Sequence, residues 1–220
     1  MAGWENPIAK QKRLAIELAQ QNVGEDINNS PTILSGEHVK IVFKLDLKRL
    51  KDTPNISDKT KIKRELISNY YQYIDNYLKF GLNYNDGIIV RLMIWLFDVE
   101  EIPKAIKLAL FLINQEKPMP DGFNSSMPTF VCDNTYDWAK RLLESGESAS
   151  PYLESVVEHI DDWDLNAVVG GKMYAMIAKH KFAEKDYIAT VQYCDKANKV
   201  NPEAGVKTLR DKALKLVSVK

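Results

Sequence analysis

Two groupings of carboxylates have residue types and spacing that could do chemistry. FDVEE carries Asp98, Glu100 and Glu101, and EHIDDWD carries Glu158, Asp161, Asp162 and Asp164. Clustered acids can hold one or two Mg²⁺ ions against a phosphodiester, so the chemistry they suggest is metal-dependent cleavage of a nucleic acid. The first grouping supplies the candidate catalytic residues, Asp98, Glu100 and Glu101. No supporting motif accompanies either grouping. No acid followed by Glu-x-Lys stands nearby, and His38, His159 and His180 make no His-Asn-His arrangement. Both groupings fall where helices begin or end, so capping and surface charge are the expectation for them. No metal site is read from the sequence. No cofactor is expected, Mg²⁺ entering only with a nuclease activity. The stretch VVGGKM lacks the upstream glycine and the Lys-Ser/Thr pair of a phosphate loop, so no ATPase motif is visible.

The second chemistry is that of cations. From Lys40 to Arg64 there are nine Lys or Arg against three acids. Lys44, Lys48, Arg49 and Lys51 precede the break TPNIS, and Lys59, Lys61, Lys63 and Arg64 follow it. Two helices meeting at a short turn would put both groups on one rim. With Lys10, Lys12 and Arg13 near the start, these are the candidate DNA-binding residues. Each phosphate they neutralise would release counterions, with a salt slope of about −0.9 per contact on duplex DNA. Three or four such contacts bind weakly, and a cluster of subunits would multiply them. The alternative is a solvated charged face.

The whole chain is neutral, but its charge is segregated. Residues 1–64 carry +4, residues 65–166 carry −10 and residues 167–220 carry +6. A polyanion partner suits the basic ends, whereas the acidic middle argues against a protein that coats nucleic acid along its whole surface. Protein partners elsewhere on the molecule fit better.

The elements that must position these residues read as helical nearly throughout. Asn6-Pro7 opens a basic amphipathic helix, and Asn22 to Val39 reads as a mobile linker. VKIVFKLDLKRLK is ambiguous: Ile41, Phe43, Leu45 and Leu47 alternate, yet Phe43, Leu47 and Leu50 fit a helix, which is the reading adopted. Ser57 and Asp58 should cap a long helix from about Asp58 to Phe80, with Ile62, Leu66, Tyr70, Tyr73, Ile74 and Tyr77 on one face. Lys61, Lys63 and Arg64 then point away, and the tyrosines are core residues with hydroxyls near water. IIVRLMIWLFD is apolar all round, hence a buried central helix. Trp95, Trp138 and Trp163 read as packing residues. Further helices follow, several with Pro near the start, and the last segment forms a helical hairpin. Its Ala197 and Pro202 suit one tetratricopeptide unit, too little for a repeat array.

The fold expected is all-α: a multi-helix bundle with a basic N-terminal helical segment and a C-terminal helical hairpin. Its parts are 1–38 (basic helix plus linker), 39–165 (central helical domain with the basic hairpin) and 166–220 (hairpin for protein contacts). No apolar run is long enough to cross a bilayer, Arg91 interrupting the longest, and the start lacks the apolar core of a secretory signal. Cys132 and Cys194, far apart in the chain, read as buried thiols in a reducing cytosol.

The order of several pieces resembles a known family. They are the Lys63–Leu66 block with the tyrosine pair after it, the Asp86 segment leading to Met93, Trp95 and Asp98, the Met119-Pro120 loop ending in Phe123, the Trp163-Asp164 turn, and Gly205-Val206-Lys207. Together they are similar to the terminase endonuclease (small) subunit of Peduovirus-type tailed bacteriophages. The resemblance covers about Leu45 to Leu214, and its specificity lies in the ordered set. It implies a homo-oligomeric DNA-packaging subunit that binds viral double-stranded DNA near the cohesive-end site. Such a subunit delivers the DNA to the terminase large (ATPase) subunit for cleavage and translocation into the prohead. It also implies a place in the host cytoplasm and not in the mature virion. The alternatives are a stand-alone Mg²⁺-dependent endonuclease and a helical protein-binding adaptor without DNA contact. The chain departs from the family at Glu100-Glu101, where Gly-Asp is usual, at Asn166, where Asp is expected, and at Thr208 after Lys207. These changes weaken any metal-ligand role for those positions.

Overall fold

A computed structural model describes residues 36–85 and 87–218. Among them the secondary structure is helical, with no strand. The chain divides into two compact units, residues 1–99 and 100–220, each described here by itself.

In the first unit, α1 spans Gly36–Lys51, α2 Ile56–Ile67, α3 Tyr71–Lys79 and α4 Ile88–Asp98. The ambiguous segment is helix α1. Val39, Phe43 and Leu50 are buried at the four- and seven-residue steps of one helical face. The expected linker lies mostly outside the described residues, but its end is corrected. The helix already begins at Gly36, and His38 and Val39 are buried. The start of α2 is corrected as well. Asn55, in extended backbone, is the cap: its Oδ1 accepts from the Ser57 N–H at 2.8 Å.

The long helix expected from Asp58 to Phe80 is interrupted by a 3₁₀ turn, Ser68–Tyr70, which joins α2 to α3. Leu66, Ile67, Tyr70, Tyr73, Ile74 and Tyr77 are buried across this joint, whereas Ile62 is half-buried. Helix α4 is buried on all sides except at Asp98 and the half-buried Arg91. The aromatic centre of the unit is built by Phe43, Tyr70 and Trp95. Trp95 lies 5.1 Å from Phe43 and 6.2 Å from Tyr70 between ring centroids. Edge-to-face geometry, 86° between Phe43 and Tyr70, suits the ring quadrupoles.

In the second unit, α5 spans Ile102–Asn114, α6 Met127–Ser145, α7 Tyr152–Val157, α8 Ala167–Ala183, α9 Tyr187–Val200 and α10 Lys207–Val217. Pro103 and Pro128 sit in first turns, where a missing N–H costs nothing. Side-chain oxygens of Ser126, Asn166 and Asp186 cap α6, α8 and α9. Helix α8 is the core element, packed by α6, α7 and α9, and α10 packs on α9. The Gly170-Gly171 pair permits the α8–α9 approach: a Cβ on Gly171 would lie 2.5 Å from the Cβ of Asn201. Cys132 and Cys194 are buried free thiols. Burial pushes Cys132 up to about 12 and Cys194 up to about 11, so both are protonated and inert at neutral pH.

Candidate nucleic-acid interface

Helix α1 puts its cations where its packing leaves them. Val39, Phe43, Asp46 and Leu50 face the core, so Lys44, Lys48 and Lys51, four and three residues apart, share a face turned to solvent. None of the three makes an ion pair among the described residues. Asp46 is the exception on the inner face. It is only 4% exposed and accepts a hydrogen bond from the Tyr70 hydroxyl. Burial, then that bond, holds the Tyr70 phenol well above its ordinary range. The expectation that the tyrosine hydroxyls stay near water is therefore corrected at Tyr70, whose partner is a buried carboxylate.

The remaining cations of the segment do not join one set. Arg49 lies on another side of α1 and donates to Glu65 of α2 at 3.0 Å. Lys61 is exposed but reaches Asp58 at 3.1 Å. Lys63 does not point away from the packed face as expected. Its side chain is 20% exposed and its ammonium donates to Asp98 of α4. The reason is helical geometry: Lys63 is four residues before Ile67 and shares its inward side. Lys59 is half-buried, and Arg64 is exposed; neither makes an ion pair among the described residues. Lys10, Lys12 and Arg13 lie outside the described residues.

The acidic candidates are likewise engaged. Asp98 is held by Lys63, Glu100 by Arg141 at 2.8 Å and Glu101 by Lys104 at 2.6 Å. No group of three or more His, Cys, Asp or Glu able to hold a metal ion occurs among the described residues. In the second acidic grouping, Asp161 is tied into the fold of its own unit. Asp161 accepts from the Tyr174 hydroxyl at 2.7 Å, and His159 stacks on Trp163.

A family model described as phage small terminase subunit matches residues 41–167, more than half of the chain. The chain belongs to the phage small terminase subunit family. Two curated relatives agree. A protein of Haemophilus phage HP1 (strain HP1c1), named probable terminase, endonuclease subunit, is 22% identical over 222 residues, covering 94% of this chain and 77% of that protein. The terminase, endonuclease subunit of Escherichia phage P2 is 22% identical over 172 residues, covering 78% of this chain and 70% of that one. No solved structure matches. Membership of this terminase family gives the chain a role in phage DNA packaging. The family match takes in most of α1 and all of α2, so the lysine face belongs to the part shared with other small terminase subunits.

Sequence reasoning missed the Asp46–Tyr70 contact and the pairing of Arg49 and Lys63. A signal for the first was present: Asp46 stands three residues after Phe43 and four before Leu50, on the apolar face. The pairing of Lys63 with Asp98 spans 35 residues of chain and depends on the packing of α2 against α4.

Proposed function

We propose that this family member is the DNA-binding half of its packaging terminase. The solvent-turned lysines of α1 grip the phosphates of viral double-stranded DNA. The subunit then presents that DNA to the large ATPase subunit for cleavage and for translocation into the prohead. Several copies act together, since three contacts per chain bind weakly and multivalency supplies the rest. Work of this kind belongs in the host cytoplasm, and the subunit is not carried in the mature virion.

The observation that supports this reading is the set Lys44, Lys48 and Lys51, at helical spacing on one exposed face and without acidic partners among the described residues, in a chain with a packaging role. Among the described residues no helix is long and apolar enough to cross a membrane. The test is binding of the full chain to duplex DNA before and after Lys44, Lys48 and Lys51 are changed together to Ala. Affinity should fall while the helical circular dichroism is retained. Unchanged affinity would move the interface elsewhere.

The relatives carry "endonuclease" in their names. In this chain Asp98 is engaged by Lys63, and in our reading it serves as an ion-pair partner, with cutting performed by the assembled terminase. Asp98→Ala should therefore leave nicking by the terminase complex at the wild-type rate in Mg²⁺ buffer. Abolished nicking by a variant that still folds and binds DNA would make Asp98 catalytic.

A further inference from the structure

Helix α2 offers a second surface, of different chemistry from the lysine face of α1. From Pro54 to Asp58 every residue is exposed, and the first buried residues of the helix are Leu66 and Ile67. The stretch Ile56 to Glu65 rises about 15 Å, enough to lie in a duplex major groove about 12 Å wide. Its outer face carries Ser57, Lys61 and Arg64, four and three residues apart and all exposed. Carboxylates flank this face, but their charge is met: Asp58 by Lys61 and Glu65 by Arg49. Arg49 and Arg64 are the two arginines between Lys40 and Arg64, and the first is committed to Glu65. Arg64 makes no ion pair among the described residues and is exposed.

The two surfaces suit different parts of one duplex. Lysine is a point charge on a flexible stem and fits phosphate, which positions a protein without carrying sequence. Arginine presents a planar fork whose two N–H donors match O6 and N7 of guanine, the commonest specific contact in the major groove. An arginine set on a rigid helix, with its neighbouring acids already neutralised, is placed for that role. We infer that the outer face of α2 enters the major groove of the packaged DNA and that Arg64 reads a guanine there, while the lysines of α1 hold the backbone. This rests on the DNA-binding reading above and adds sequence discrimination to it.

The experiment selects binding sites from a randomised duplex library with the full-length wild-type chain, Arg64→Ala, Arg64→Lys, and the triple Lys44, Lys48, Lys51→Ala variant. Wild type should enrich a motif containing a fixed guanine. Arg64→Ala should relax that one position, losing about 5- to 150-fold of its discrimination. Arg64→Lys should fail to restore it, since lysine keeps the charge and loses the fork. The triple variant should bind all sequences more weakly and keep the motif. If Arg64→Ala lowers affinity uniformly and Arg64→Lys rescues it, Arg64 is a phosphate contact; the base-reading role is overturned and the DNA-binding reading stands. Binding of the library by wild type without enrichment of any motif would overturn the base-reading role in the same way. If wild type binds no duplex at low salt, but an acidic protein instead, both readings fall.

Discussion

Tyr70 donates its phenolic hydrogen to Asp46 where neither side chain meets much water. A buried carboxylate needs its donors, because leaving either partner unmet costs more than the bond contributes when made. The bond also joins α1 to the turn between α2 and α3, on the side of α1 opposite Lys44, Lys48 and Lys51. Tyr70→Phe keeps the ring and its contacts with Phe43 and Trp95 but removes the donor. It should destabilise the protein by about 1.5–3 kcal/mol, the range for hydrogen bonds to charged groups, as measured by urea denaturation. A change within error would mean that Asp46 is satisfied without Tyr70. The residue scale is also where sequence reading was weakest. The type and spacing of the lysines on α1 announced an exposed face. The neutralisation of Arg49 and Lys63 did not show, because ion pairs between helices depend on which helices meet.

The helices themselves were legible. Periods of three and four in the apolar residues and Pro near helix starts placed most of them, and the alternation at Ile41, Phe43, Leu45 and Leu47 yielded to the helical set Phe43, Leu47 and Leu50, of which Phe43 and Leu50 are buried. The 3₁₀ turn at Ser68–Tyr70 was not legible, since the buried tyrosines continue in helical register through it. Nor was the purpose of Gly170-Gly171, which looked like a failed phosphate loop and proves to be a close helix crossing. Gly171→Ala should destabilise the α8–α9 pair by about 1 kcal/mol or more, overpacking outweighing the gain in helix propensity. Gly170→Ala, whose new Cβ would lie 3.2 Å from Val200 Cγ1, should cost less. Thermal denaturation of both variants checks the order, and equal effects would discount the crossing.

Helices α7 and α8 are tied by Lys181, which donates to Glu154 at 2.6 Å and to Glu184 at 2.9 Å. Burial pushes the Glu154 carboxyl up, but hydrogen bonds from Lys181 and its other donors outweigh it and the net shift is downward. A lowered carboxyl pKa stabilises the fold in full above the ordinary Glu value and is lost as pH falls through the lowered one. Burial lowers the Lys181 pKa, but Glu154 and Glu184 outweigh it and the net shift is upward, so its contribution is full below the ordinary Lys value and lost only in strong alkali. Lys181→Met should therefore lower stability at pH 7, and the deficit should shrink as pH falls below about 4.3. Urea midpoints at pH 7 and pH 3.5 measure it; a deficit independent of pH would leave only lost packing.

At the scale of the whole molecule, the charge segregation seen in the sequence takes on a division of labour. The +4 of residues 1–64 includes the α1 lysines, exposed and free of acidic partners among the described residues. The −10 of residues 65–166 is partly met by cations from outside that stretch, in pairs such as Lys63–Asp98, Lys172–Asp133 and Lys181–Glu154. In the proposed reading, a neutral protein can thus hold a polyanion on one face without a basic surface everywhere. The most direct measurement is the salt dependence of duplex binding by the full chain and by the triple Lys44, Lys48, Lys51→Ala variant. If those lysines touch phosphate, a plot of log affinity against log salt concentration should be less steep for the variant by about 2.7, at about 0.9 per lost contact. Parallel lines for the two proteins would contradict the account.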